Sequence, residues 1–239
     1  MAAPLPFLID KTDSFEIVRD QIVSILDVTQ ADQVAKATTA GKPDPSEWKL
    51  RVFAERSNPW EQFLNAASDA VPDQSPIVNV WYDTGAFDKS VGDVVKTQQH
   101  AAVYNIDVYG WGIAADVAGP GHSPGDESAA LVLQRGIKFV RNILMSSVNT
   151  YLQLRPKPES DGDPRVWQRW IQSITSFQVQ LGDDSAHQVN GGRIALAVTF
   201  NEFSPQGDES NPLEQLGVDI NLPDSGTPDP AVEVEFDYT

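Results

Sequence analysis

The sequence predicts an α+β fold. The expectation is a mainly antiparallel sheet of about four to five strands with one long helix packed across it, plus an extended C-terminal arm. Three observations lead there. An apolar stripe at helical spacing runs through 126–151, strands of period-two alternation occupy 101–111, 171–181 and 193–203, and the composition turns acidic and basic-free after Phe203.

The elements follow in order. Residues 12–27 read as an amphipathic helix, with Asp13 as N-cap, Glu16 closing a capping box, and Phe15, Val18, Ile22, Ile25 and Leu26 on one stripe. Gly41, Pro43 and Pro45 mark 28–46 as a loop. A strand is expected at 47–56, where Trp48, Leu50, Val52 and Ala54 alternate with their neighbours, and Asn58-Pro59-Trp60-Glu61 starts a helix reaching Ser68. The next strand runs from Ile77 to Tyr82. A polar loop over 83–99 leads to the strand 101–111, its antiparallel neighbour, which carries Ala102, Tyr104, Ile106 and Val108 on one face. After a Gly- and Pro-rich connection at 119–125, the long helix carries Leu133, Ile137, Val140, Leu144 and Val148, widened by Leu131, Phe139 and Met145. Pro156 and Pro158 exclude its continuation. Strands at 171–181 and 193–203 close the sheet as a hairpin.

The chain thus divides into 1–203, a folded subunit with an insertion at about 28–70, and 204–239, an acidic arm. The arm ends on Val232-Glu233-Val234-Glu235-Phe236-Asp237-Tyr238, a perfect alternation that needs a sheet edge, its own or a neighbour's.

Charge narrows the function. Seventeen Lys and Arg against 34 Asp and Glu give a net charge of −17, which repels phosphate backbones and argues against sequence-reading nucleic-acid binding. The same repulsion suits a channel wall along which DNA slides. The absence of cysteine removes disulfides and thiolate metal sites and fits maturation in a reducing cytoplasm. Apolar runs are too short to span a bilayer, and the opening residues lack the basic region of a signal peptide.

The order helix, strand, long loop, strand, long helix, two strands resembles the tail-terminator (tail-completion) proteins of long-tailed bacteriophages. The likeness is carried by Val18 to Leu26, by SPIVNVWYDTGAFDKSVGDVVKTQQHAAVYNIDVYGWG (75–112), by ESAALVLQRGIKFVRNILMSSV (127–148), and by SITSFQVQL (173–181) with RIALAVTFNEF (193–203). It covers most of 12–203 as a pattern of elements, without a signature motif. The resemblance implies a homo-hexameric ring at the head-proximal end of the tail. Such a ring terminates the tail tube and meets tube, sheath and neck or connector proteins in the virion, and related neck, collar and baseplate rings share the architecture. DNA passes without specific binding, no membrane is involved, and neither enzyme activity nor a cofactor is implied. A ring requires head-to-tail interfaces. Arg51, Arg56, Arg165 and Arg169 are candidate interface residues, with Val232, Val234 and Phe236 of the arm, although ordinary intrachain or solvated charges explain any single arginine. Asp83, Asp88 and Asp93 are candidates for a lumen loop, tempered by Lys89 and Lys96.

Searches for chemistry are mostly negative. His100, His122 and His187 lie in no metal-binding spacing, and neither a GxSxG elbow, a Walker A loop nor a complete GxGxxG occurs. Asp161-Gly162-Asp163 and Asp183-Asp184 read as turns. Two other classes remain. An acidic hydrolase would need carboxylates held in the sheet, and Asp107, on the face expected to be exposed, is the residue to test. A monomeric binding module would need aromatics aligned on one exposed strand face, whereas Trp81 and Trp111 fall at expected strand ends.

Overall fold

A computed structural model describes residues 12–60, 75–88, 97–113, 115–117, 121–123, 125–154, 164–179, 187–203, 218–219 and 233–234. The chain forms two units, 12–204 and a second made of 1–11 with 205–239.

The larger unit opens with α1 (Ser14–Thr39). The capping box is present, the Asp13 amide donating to Glu16 Oε2 at 3.0 Å. Val18, Ile22, Ile25 and Leu26 are buried, as the stripe requires. The helix runs twelve residues past the expected end, because 28–39 contains neither glycine nor proline. It stops where Gly41 adopts φ 64, the left-handed conformation that glycine enters without strain. Only Ala37 of that extension is buried, so periodicity could not reveal it.

A single 3₁₀ turn (Pro45–Trp48) precedes β1 (Arg51–Ala54), shorter than the strand expected at 47–56. Trp48 therefore lies outside the strand, edge-on to Phe139 at 6.0 Å. β1 pairs in parallel with β2 (Ile77–Asp88), while every other pairing among the described residues is antiparallel. The expected helix after Pro59 lies, from residue 61 on, outside the described residues.

β2 and β3 (Thr97–Ile113) form a long hairpin, so 83–88 and 97–99 are strand rather than loop. The outer half of β2 is exposed on every residue, which removes the apolar alternation that marks a half-buried strand. The register shifts between Tyr82 and Thr84, leaving Asp83 as the extra residue of a bulge. The expected glycine-rich connection instead contains a small hairpin, β4 (Ala115–Val117) with β5 (Gly121–Ser123).

α2 (Gly125–Met145) ends six residues before the expected limit and is followed by a 3₁₀ turn (Ser147–Asn149). Its buried side combines Ala129, Val132, Leu133, Gly136, Val140, Ile143 and Leu144. Leu131, Met145 and Val148, expected on the apolar stripe, are exposed. Small residues set this packing. A Cβ on Gly110 of β3 would stand 2.5 Å from the Ala129 carbonyl oxygen and press on the Leu133 amide.

β6 (Arg165–Gln178) starts six residues earlier than expected, and β7 is His187–Phe203. The sheet order is β1-β2-β3-β7-β6, with the seventeen-residue β3–β7 pairing as its spine. Val78, Val80, Tyr104, Ile106, Val108, Ile194, Leu196, Val198 and Phe200 pack with α1 and α2 into one core. Burying each such side chain stabilises the fold by roughly 1.5–3 kcal/mol before chain entropy is counted. The second unit contains β8 (Val218–Asp219) paired antiparallel with β9 (Glu233–Val234), so Val234 is in a strand while Val232 and Phe236 lie outside the described residues. Among the described residues no helix is long and apolar enough to cross a membrane.

Candidate functional site

Strand periodicity puts the odd-numbered residues of β3 on the sheet face turned away from α1 and α2. Register then assembles rows across four strands. Ile77, Tyr109, Gly191 and Phe177 form one; Asn79, Asp107, Arg193 and Thr175 the next; Trp81, Asn105, Ala195 and Ser173 the third. Directly opposed residues on neighbouring strands lie close enough for side chains to bond.

The middle row contains a charge pair. Arg193 Nε donates to Asp107 Oδ1 at 2.7 Å and Nη2 to Oδ2 at 3.0 Å, the fork geometry that suits guanidinium and carboxylate. Trp81 Nε1 donates to Oδ2 at 3.0 Å, and the Tyr109 hydroxyl reaches it at 3.5 Å. Arg193 also stacks 4.8 Å above the Trp81 ring. Asp107 is buried, at 4% exposure, which corrects the expectation that it faces solvent. The hydrogen bond to Asp107 holds the Arg193 pKa above its ordinary value. Burial, aided by the nearby Asp107 charge, pushes the Tyr109 phenol well above the usual range, so it stays neutral.

Beside this pair opens a cavity of about 420 Å³, lined by Trp60, Trp81, Tyr109, Phe177, Arg56 and Ser57 together with the pair itself, Asn79 and Glu55. Glu55 has a φ of 52, unusual for a residue with a side chain, and turns the chain out of β1. Asn79 then clamps the next residue, accepting from the Arg56 amide at 3.0 Å and donating to its carbonyl at 2.8 Å. Trp60 meets Tyr109 at 5.0 Å between ring centroids. Trp81 sits within β2 and points onto this face, not at a strand end, while Trp111 is fully buried in the small cluster of Ile77, Tyr109 and Val189.

No protein-family model matches this chain, and no curated protein matches its sequence significantly.

The four candidate arginines lie at the two opposite edges of the sheet. Arg51 and Arg56 are at the β1 edge, where Arg51 Nη2 donates to the Ser75 carbonyl at 3.3 Å. Arg165 and Arg169 are on β6. Arg169 is committed inside the chain, donating to the carbonyls of Asn149 at 2.6 Å and Ser146 at 2.8 Å beyond the C-terminus of α2. Desolvation lowers its pKa, yet two carbonyl dipoles favour the cation. β6 is also where apolar surface is shown: Trp167, Trp170 and Ile174 are 54%, 41% and 44% exposed. Asp83 and Asp88 are exposed on the outer half of β2, and Asp93 lies outside the described residues.

Arg193 and its partnership with Asp107 were missed by sequence reasoning. The available signal was a lone carboxylate in the middle of one apolar strand and the one Lys or Arg of 187–203 in another. Among the described residues no group of three or more His, Cys, Asp and Glu could hold a metal ion.

Proposed function

We propose that the chain is a structural ring subunit of a long-tailed phage. In this reading a homo-hexamer sits at the head-proximal end of the tail, terminates the tube and joins it to the connector. The observation that carries the proposal is the β6 edge. Trp167 and Trp170 stand exposed side by side, lining one surface hollow, and Ile174 is exposed further along the same fourteen-residue edge strand, in a chain whose charge otherwise favours solvent. Exposed clustered aromatics on a strand edge are costly to leave uncovered, and a neighbouring subunit covers them. The opposite edge, β1 with Arg51 and Arg56, differs in chemistry, as a head-to-tail ring needs.

Two further features agree with this reading. The exposed half of β2 carries Asp83 and Asp88, acidic groups that suit a lumen through which DNA moves without sticking. The acidic arm supplies a segment for contact with tube, sheath or neck proteins. Catalysis and cofactors have no part in the proposal. Negative-stain electron microscopy of the concentrated protein tests it: closed rings of about six subunits are expected. Particles that never close into rings, at any concentration, would refute it.

A further inference from the structure

We propose that the cavity on the sheet face turned away from α1 and α2 is a binding site for a carboxylate carried on an aromatic or apolar body. The inference does not depend on ring formation.

One of the two lining cations is not engaged by a carboxylate among the described residues. Asp107 and Arg193 neutralise each other through two hydrogen bonds. Glu55 Oε1 accepts from the Tyr82 amide at 3.1 Å and from Nη1 of Arg19 at 3.4 Å, an arginine whose Nε is held by Asp20 at 2.8 Å. The Arg56 guanidinium lies over the Phe53 ring at 4.8 Å and has no carboxylate partner among the described residues. Nη1 of Arg193 takes part in none of the described hydrogen bonds. The Arg56 guanidinium, lacking a carboxylate partner among the described residues, offers a carboxylate a charge-assisted hydrogen bond.

The walls select the rest of the ligand. Trp60, Trp81, Tyr109 and Phe177 offer ring surface, and 420 Å³ is within the range of small-ligand pockets, roughly 300–1,000 Å³. Two of the directional groups in the wall are already engaged: the Asn79 amide holds the Arg56 backbone, and Trp81 Nε1 holds Asp107. That same clamp fixes the backbone from which Arg56 projects, so little order must be imposed when a ligand arrives. A planar guanidinium beside aromatic rings suits a carboxylate, and Ser57 adds a hydroxyl.

The carboxylate can be free in solution or borne on a polypeptide, and calorimetric titration of the full chain distinguishes the two. The free probes are phenylacetate and its neutral isostere phenylacetamide. The polypeptide probes are acetyl-Glu-Phe-amide and acetyl-Gln-Phe-amide. At least one anion should bind roughly tenfold more tightly than its neutral counterpart, the worth of a charge-assisted hydrogen bond. The tighter of the two anions names the source. Arg56→Gln should abolish the preference, Arg56→Lys should keep part of it, and circular dichroism should show both variants folded. Equal binding of each anion and its neutral twin, or an unchanged preference in Arg56→Gln, overturns the proposal. Ring assembly is read separately by mass, so failure of either idea leaves the other standing.

Discussion

Removing one partner of the Asp107–Arg193 pair should destabilise the subunit by amounts that follow burial. In Asp107→Ala the stranded groups are the Arg193 guanidinium, whose side chain is 38% exposed, the Trp81 N–H, on a half-buried ring, and the Tyr109 hydroxyl, which reaches the carboxylate only at 3.5 Å. The first two regain some water. The cost should therefore fall below the ~3–5 kcal/mol typical of a broken buried pair, to about 2–3 kcal/mol. Arg193→Met strands the carboxylate instead, with its side chain only 5% exposed, and should cost the full ~3–5 kcal/mol. Asp107→Asn keeps an acceptor but loses the charge, at about 1–2 kcal/mol. The double variant Asp107→Ala/Arg193→Met leaves neither charge behind. It should be less destabilised than the sum of the singles by roughly 1–3 kcal/mol. Urea unfolding followed by tryptophan fluorescence measures all four. Additive single variants, or Asp107→Ala costing more than Arg193→Met, would refute the reasoning.

Three other expectations concern separate parts of the chain. His100 is 3% exposed between Phe87, Phe200 and Tyr82, both ring nitrogens lack a hydrogen-bond partner, and Glu202 Oε2 stands 3.7 Å from Nδ1. Burial lowers its pKa below the unfolded value of about 6.5. The unfolded chain therefore binds the proton first, and stability present above that pH is lost as pH falls toward the folded pKa. His100→Phe should flatten that loss in melting curves between neutral and mildly acidic pH, and Glu202→Gln separates the effect from titration of the carboxylate. Gly110→Ala should cost about 1–3 kcal/mol or more, because the methyl meets α2 backbone that cannot swing away, and a thermal melt reads it. Removing residues 204–239 should leave the rest of the larger unit, 12–203, folded by circular dichroism but weaken self-association.

What could be read from the chain was set by burial. Ala102, Tyr104, Ile106 and Val108 alternate against a dry helical layer, and there the sequence states both element and face. The same rule fails along 83–88, where both faces of β2 are wet, and along 28–39, where α1 projects beyond the core. It misjudged Asp107 for a related reason. A polar residue on an alternating strand reads as solvated, and only the register with Arg193 and Trp81 reveals a charge held within the sheet. Glycine packing was equally hidden: Gly110 and Gly136 bring α2 against the sheet, so apolar residues such as Leu131 stay outside. Asn79 acts through a backbone clamp on Arg56, twenty-three residues away, which spacing cannot anticipate.

The ring reading is tested most directly by the solution mass from light scattering across a concentration series. The account predicts a species of about six times the 26.1 kDa subunit, or monomers converting to it as concentration rises. Trp167→Ser/Trp170→Ser should then remain monomeric while keeping its circular dichroism spectrum. A wild-type chain that stays monomeric throughout, or a double variant that assembles as the wild type does, contradicts it.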